Sequence, residues 1–567
     1  MLLQRLKQYA DERMDMPPTL YSETPVRYII ELDSRGQPLS PVPTDTADPT
    51  SRSAKRGTPR KVPQVTRSVA ITPLLLADKA DYTLGIGGEN AKPERVQACR
   101  NAYRELVERC AATTGEPEVQ AVAAFLAGDP AARLELPADF DPGALITFSV
   151  DGVFPTDLPA VRAFWAAEHD PAARNATVMQ CIVCGQERPV LDRLQGKIKG
   201  VPGGQTSGTA IISANAQAFE SYGLEASLVA PTCADCGERF TKALNGLLAD
   251  RSSHFTVGNA AFVFWTRRPV ATDILAPLNQ PNPEQVRALI DSVRSGRVPE
   301  LDDTAFYATL LSGSGGRAVV RDWIDTTVGE VKASLARWFL GQQIVDEYGA
   351  PAPPLSIYRL AVATVYESKD LPAATPRALL RAALAGAPLP AGLLYQAVRR
   401  NRAEQNVSRP RAALIKLVLQ RAAPAEQEDT MAQLDLQNPD PAYRYGRLLA
   451  VLAEIQRTAI GKAAIVDRFY GTASSAPASV FARLLRGARP HLAKLERDKR
   501  WLYLILEPRL EEILSGIDGF QNTLTLEQQG MFALGFYHQR AHDRAQMKSD
   551  TEQRRTTDDT ADLSDAE

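Results

Sequence analysis

The sequence predicts an α+β protein: a mixed N-terminal region of helices and strands that carries a zinc-knuckle insertion, followed by an all-α C-terminal helical bundle. Three observations support this prediction. Helical and strand-like apolar patterns alternate up to about residue 345, and only helical spacing remains after about residue 355. Two CxxCG motifs lie in the first region. The length of 567 residues allows three or more domains at about 100–200 residues each.

The N-terminal region, 1–345, opens with a charged amphipathic helix and a strand at 28–32. Later elements are predicted from the spacing of their apolar residues. These residues alternate with polar ones in strands and recur at i, i+3 and i+4 in helices. The predicted strands are 70–76, 144–150, 260–265 and 317–324, and the predicted helices are 93–111, 116–127, 240–248, 283–295 and a segment ending at Leu340.

A basic segment interrupts this pattern after the first strand. Residues 37–66 are rich in proline, serine and threonine and have no apolar period, which predicts a long exposed loop. Its cations are suited to tracking nucleic-acid phosphates. They are Arg52, Lys55, Arg56, Arg60 and Lys61, with Arg67 just beyond.

Two thiol pairs predict a structural zinc site within 178–250. Cys181 and Cys184 form the first CxxCG motif, and Cys233 and Cys236 form the second. Four thiolates suit tetrahedral Zn²⁺ and leave no open position for catalysis. The alternatives are a redox CxxC pair or inert buried thiols.

A glycine-rich loop with the sequence IKGVPGGQTSG lies between the thiol pairs, at 198–208. It lacks the Lys-Ser/Thr ending of a nucleotide-binding P-loop. Its small polar groups are suited to a DNA groove, and a plain flexible turn is the alternative. The candidate residues are Lys197, Lys199, Gln205, Thr206, Ser207 and Asn215.

The C-terminal region, 355–548, is predicted to be a helical bundle with a basic surface. Residues 371–548 hold 25 Lys/Arg against 16 Asp/Glu, a net charge of +9. The tail 549–567 has a net charge of −5 and is predicted to be disordered. His538 and His542 are predicted to be solvated cations at a helix end rather than metal ligands.

Several function classes lack support in the sequence. There is no HExxH, GxSxG or P-loop motif, so we do not expect an enzyme. No run of about 18 apolar residues occurs, and the N-terminus does not resemble a signal peptide. Together with the paired thiols, this predicts a cytoplasmic protein without a membrane partner. The competing hypotheses are a zinc-dependent nucleic-acid-processing enzyme and a scaffold without DNA contact.

The chain resembles the large subunit of the type I-C CRISPR Cascade over nearly its whole length. Besides the glycine-rich loop and the first CxxC, the segments that carry the resemblance are PLLLADKADYTLG at 73–85, ISAN at 212–215, AFESYG at 218–223, ALNGLL at 243–248, VGNAAFVFW at 257–265 and RAVVRDW at 317–323.

This resemblance implies a ribonucleoprotein subunit in RNA-guided antiviral defence. The N-terminal region would recognise the PAM, a short motif in the duplex beside the target, and help to open that duplex. Lys79 joins the basic and polar candidates above, and 78–82 is the alternative PAM-reading segment. The helical bundle would hold the displaced single strand. The implied partners are the crRNA-containing backbone subunits, a small subunit and a helicase-nuclease.

The resemblance also implies a second product. In type I-C systems the small subunit starts inside the large-subunit gene. Met431 follows a polar linker and precedes a self-contained helical pattern, so 431–567 is the expected product.

Overall fold

The computed structural model describes the chain except for residues 15–19, 49–55, 66–69, 170–176, 195, 215, 271–274, 295–302, 421–430 and 565–567, and it describes no side chains for 292–294 and 548–564. The chain folds into two compact units. The first is Met1–Ile198 with Ala210–Asn245, and the second is Lys199–Thr209 with Gly246–Glu567. Among the described helices, none combines the length and the apolar character needed to cross a membrane.

The first unit contains a small mixed sheet covered by helices. Its helices are α1 (Leu2–Arg13), α2 (Ala80–Thr83), α3 (Pro93–Thr114), α4 (Pro117–Leu126), α5 (Pro159–Glu168) and α6 (Ala234–Ala249). Its strands are β1 (Tyr21–Val26), β2 (Tyr28–Leu32), β3 (Thr44–Asp45), β4 (Thr58–Pro63), β5 (Ala77–Lys79), β6 (Leu145–Val150), β7 (Val178–Gln180) and β8 (Glu187–Pro189). The sheet has the order β3-β2-β6-β5, with β2 parallel to β6, while β1 and β4 form a separate antiparallel ladder.

Alternate side chains of β2 and β6 build the core of this unit. Ile30 and Phe148, for example, are buried in one cluster with the apolar faces of α3 and α4. Cys99 and Cys110 are buried in α3. The structure confirms the predicted strands at 28–32 and 144–150. It also confirms the helices predicted at 93–111 and 116–127, which are α3 and α4.

Two predictions for this unit are wrong. Residues 70–76 do not form a strand, because the buried Asp78 carboxylate accepts hydrogen bonds from the backbone N–H of Leu74 and of Lys79, both at 2.8 Å, and folds the chain before β5. The predicted loop 37–66 contains β4, which pairs with β1. Both strands contain proline, and Pro25 lies opposite Pro59, so the sequence signal for a strand is weak there.

The second unit joins an antiparallel sheet to a large helical region. Its strands are β9 (His254–Val257), β10 (Ala260–Thr266), β11 (Ala305–Ser314) and β12 (Arg317–Thr327), in the order β12-β11-β10-β9. Its helices are α7 (Ala276–Asn279), α8 (Pro283–Arg294), α9 (Val328–Gly341), α10 (Ile357–Val362), α11 (Ala374–Ala385), α12 (Ala391–Glu404), α13 (Arg409–Gln420), α14 (Pro441–Ile460), α15 (Ala464–Ala473), α16 (Phe481–Asp498), α17 (Arg500–Ser515) and α18 (Leu526–Ser564). The predicted α+β class with a helical C-terminal region is therefore confirmed.

The helical region is organised around the crossing of α14 and α18. A Cβ atom at Gly446 of α14 would stand 2.7 Å from the backbone nitrogen of Phe536, and one at Gly535 of α18 would stand 2.8 Å from the carbonyl carbon of Tyr443. Ordinary carbon contacts start near 3.4 Å. The two helices therefore approach this closely only because each has a glycine at the crossing.

The last helix, α18, begins with a capping box. The N–H of Thr525 donates to the Gln528 side chain at 2.9 Å, and the N–H of Gln528 donates to the Thr525 hydroxyl at 3.3 Å. The helix then runs to Ser564.

The prediction of a solvated His538 at a helix end is wrong. It lies inside α18, is fully buried, and its Nδ1 is 2.9 Å from the Tyr443 hydroxyl. Burial, followed by the charge of Lys416, lowers the pKa of His538 to about 3, so its imidazole is neutral at physiological pH. Burial also lowers the pKa of His542. The sequence shows that His538 and His542 are four residues apart, but it does not show which helices cover them.

Candidate metal centre and nucleic-acid interface

The four cysteines of the two CxxCG motifs meet in the first unit. Their sulfur atoms all lie within 4.8 Å of one another, and only Cys184 is partly exposed. A tetrahedral site with Zn–S bonds of about 2.3 Å places its sulfurs about 3.8 Å apart. The donor set and its spacing therefore fit one tetrahedral metal ion.

The first cysteine pair is held by a tight turn on a short hairpin. The strands β7 and β8 pair on either side of it, and the backbone N–H of Gly185 donates to the carbonyl of Cys181 at 2.8 Å. Gly185 has φ +73°, a conformation that favours glycine. Backbone geometry therefore explains the glycine of the first CxxCG motif.

The second cysteine pair lies at the start of a helix instead of in a matching turn. Cys233 precedes α6 and forms an isolated bridge with Val190, and Cys236 lies in the first helical turn. Its glycine, Gly237, has an ordinary helical backbone, and a Cβ there would stand 2.7 Å from Leu194. The positive end of the helix dipole favours thiolates at this position.

The pKa values of the clustered cysteines shift in different directions. Burial opposes the charged form of Cys181, but backbone N–H groups, including that of Cys233 at 3.4 Å from its sulfur, lower its pKa to about 7. Burial and the adjacent sulfur of Cys233 raise the pKa of Cys236. Several thiolates this close repel one another, and a bound cation would offset that repulsion.

The glycine-rich loop packs against the turn between β11 and β12. The backbone N–H of Gly313 donates to Pro202 at 2.7 Å, and that of Gln205 donates to Gly315 at 3.2 Å. A Cβ at Gly313 would overlap the backbone of Gly204. These glycines thus allow a backbone contact inside the second unit, and that contact already uses the N–H of Gln205.

The polar candidates of this loop remain at the surface. Lys199, Gln205, Thr206 and Ser207 are exposed in the second unit. Lys197 is exposed in the first unit, and its carbonyl accepts a hydrogen bond from the Asn245 side chain at 3.0 Å. Asn215 lies outside the described residues.

Three of the six cations predicted in and beside the basic segment lie within the described residues. Arg56 is exposed, and Lys61 is partly exposed on β4. Arg60 lies over the ring of Phe154, with its guanidinium carbon 3.3 Å from the ring centre, and burial lowers its pKa. Arg52, Lys55 and Arg67 lie outside the described residues. Arg56 and Lys61 are therefore the cations of this segment that reach the surface in the described structure.

The alternative segment 78–82 is mostly internal. Asp78 and Tyr82 are buried, while Lys79 is exposed at the end of β5. Lys79 is therefore the cation of this segment that faces solvent.

Helix α16 has an exposed basic face, whereas the sequence predicted only that the bundle as a whole has a basic surface. Its buried face is apolar, with Phe481, Leu484, Ala488 and Leu495. The opposite face carries cations spaced three to five residues apart. This spacing is the feature of the sequence that indicates a basic helix face. The cations are Arg483, Arg486, Arg489, Lys494 and Arg497, all exposed.

The chain matches the model of one known protein family over most of its length. The model of the family described as CRISPR-associated protein (Cas_Csd1) matches residues 2–543. No curated protein sequence matches the chain. Because the family match extends over nearly all of the 567 residues, the chain belongs to the Cas_Csd1 family of CRISPR-associated proteins.

Proposed function

We propose that this chain is the large subunit of a type I-C Cascade, an RNA-guided complex that finds its target by base pairing. The observation that carries the proposal is the Cas_Csd1 family match over residues 2–543. In such a complex the guide RNA reads the target sequence, and the protein reads the PAM and the shape of the duplex. The partners are the crRNA-containing backbone subunits, a small subunit and the helicase-nuclease.

We assign a structural zinc ion to Cys181, Cys184, Cys233 and Cys236. The support is a closed set of four sulfurs within 4.8 Å of one another. The ion would join the β7–β8 hairpin to the start of α6, across a stretch of chain with little regular structure. Its role would be to fix that stretch, because binding free energy at such a site is also folding free energy.

The PAM duplex would be contacted by cations and amides with different tasks. Lysine and arginine position a duplex through its phosphates, while amide side chains discriminate base edges. Arg56, Lys61 and Lys79 would supply phosphate contacts, together with Arg52, Lys55 and Arg67. Gln205 is the best base-reading candidate among the described residues, and Asn215, which lies outside them, is the second candidate.

The displaced strand would lie along the exposed face of α16. Five cations occupy that face of one helix, in a region with a net charge of +9. Single-stranded DNA binds such surfaces through its phosphates, so its affinity falls steeply with salt.

The internal start at Met431 gives the small subunit the helices α14 to α18. These helices pack on one another, and the α14–α18 crossing lies entirely within 431–567. The segment therefore contains the central contact of its own bundle.

The test is duplex binding by the assembled complex, with correct and scrambled PAM. Gln205→Ala should reduce the preference for the correct PAM by about 1–3 kcal/mol, because one good base contact is lost. Lys61→Ala should weaken both duplexes equally and flatten the salt dependence. Gln120→Ala, at an exposed site on α4, is the matched control.

An unchanged preference in both Gln205→Ala and Asn215→Ala would show that the PAM is read elsewhere. If the wild-type complex bound both duplexes equally, the assignment of PAM recognition to this chain would be wrong.

A further inference from the structure

Tyr222 is presented to solvent by an unusual turn in the segment between the two cysteine pairs. Its side chain is 98% exposed, the highest value among the large exposed apolar and aromatic residues of the described chain. Ser221 and Leu224 form a bridge, and the N–H of Leu224 donates to Ser221 at 2.9 Å. The tyrosine therefore occupies the tip of a four-residue turn.

The backbone of this turn does not favour a tyrosine. Tyr222 has φ +55° and Gly223 has φ +71°, the two positive values of a type I′ turn. Asparagine followed by glycine is the preferred pair for that geometry, and bulky residues rarely adopt positive φ. Neither folding of the turn nor burial of the ring accounts for an aromatic residue here.

The base of the segment is firmly attached. Ser227 donates its N–H to Asp192 at 3.0 Å and accepts a hydrogen bond from the N–H of Leu194 at 2.9 Å, while the N–H of Leu191 donates to Thr232 at 3.0 Å. Thr232 directly precedes the second cysteine pair. The tip is therefore held in place before any partner binds, which lowers the entropy cost of binding.

The charge near the tip indicates the kind of partner. Glu220 and Glu225 are the only charged residues between 210 and 234, and no lysine, arginine or histidine occurs in that stretch. Phosphate contacts supply most of the affinity for nucleic acid, and they require cations. Phe219 and Tyr222 are both exposed and are flanked by carboxylates, so they are instead suited to an apolar socket with a basic rim.

We infer that this tip, residues 219–225, anchors the chain to another protein subunit of its complex, with Tyr222 entering an apolar socket that has a cationic rim. The inference rests on the proposed function, because it requires a multi-subunit complex. It adds a protein-docking element to a chain whose other candidate surfaces are assigned to DNA.

The test measures binding of the full-length chain to the crRNA-loaded complex of the remaining subunits. Tyr222→Ala should weaken binding by about tenfold or more, as expected for an interface anchor. Tyr222→Phe should retain most of the affinity. Tyr395→Ala, at a 55% exposed site on α12, is the matched control and should leave it unchanged.

Tyr222→Asn separates the docking role from a structural one. Asparagine is favoured in this turn, so the variant should unfold at the same or a higher temperature than the wild type. It should nevertheless bind the crRNA-loaded complex as weakly as Tyr222→Ala. Glu225→Gln should weaken binding less and reduce its dependence on salt, because a carboxylate facing a basic rim is lost.

Two results would overturn the inference. One is wild-type affinity of Tyr222→Asn for the crRNA-loaded complex. The other is unchanged assembly with weaker duplex binding, which would assign the tip to DNA. If the wild-type chain itself failed to join the crRNA-loaded complex, the proposed function would fail, and this outcome is distinct from the first two.

Discussion

Replacing Gly446 with alanine tests whether close contact between α14 and α18 holds the C-terminal bundle together. The new Cβ would stand 2.7 Å from the nitrogen of Phe536 and closer still to the carbonyl oxygen of Phe532. Reaching an ordinary contact of 3.4 Å requires the helices to separate by at least 0.7 Å. Hydrogen bonds across the same pair, such as Tyr443 to His538 at 2.9 Å, would then stretch beyond 3.5 Å.

The expected loss of stability follows from two opposing effects. Overpacking a tight contact costs about 1–3 kcal/mol, and the stretched buried hydrogen bonds place this site at the upper end. Alanine in place of glycine favours the helix by about 1 kcal/mol. The net destabilisation is about 2 kcal/mol, or about 30-fold in the opening equilibrium.

Hydrogen exchange of the amides of α14 and α18, measured in the full-length protein, reads this equilibrium locally. Gly446→Ala should exchange about 30-fold faster than wild type. Gly487→Ala is the matched control, because Gly487 lies inside α16 with no atom within 4 Å of a new Cβ. That change should slow exchange slightly through helix propensity alone. Equal protection of α14 and α18 in the two variants would refute the assigned role of the glycine crossing.

Three further predictions concern the metal, the internal start and a buried histidine. Cys233→Ser should lose bound zinc and thermal stability together, and elemental analysis finding no zinc in the pure wild-type protein would contradict the metal assignment. Met431→Leu should remove a short C-terminal product from expression, and persistence of that product would place the start elsewhere. His538→Gln should destabilise the protein most near pH 7, because the wild-type imidazole has a pKa of about 3 and the unfolded state binds an extra proton between that value and about 6.5. The stability that His538 contributes to the wild type is therefore complete above about pH 6.5 and is lost toward pH 3. The unfolding temperatures of the wild type and of His538→Gln should converge as the pH falls. A difference that stays constant with pH would contradict a buried neutral histidine.

The sequence by itself determined much of the local structure, because local spacing encodes it. The apolar period predicted α3, α4 and β6, and it predicted a helical region after about residue 355. The CxxCG motifs identified four thiols that meet in the structure, since each motif places two sulfurs on one short turn or helix end. Where prolines weakened the period, as in β1 and β4, the strands were missed.

Only the tertiary structure decided how distant segments meet. The glycine-rich loop packs on the turn after β11, about a hundred residues away, so its glycines serve a contact that its own sequence does not indicate. His538 is part of an ordinary helical pattern, yet α13 and α14 bury it and keep it neutral. Tyr222 belongs to a plain turn sequence, yet its positive φ and full exposure distinguish it. Burial, charge state and close approach depend on which faces of the chain pack together, and this is set by long-range contacts that local spacing does not specify.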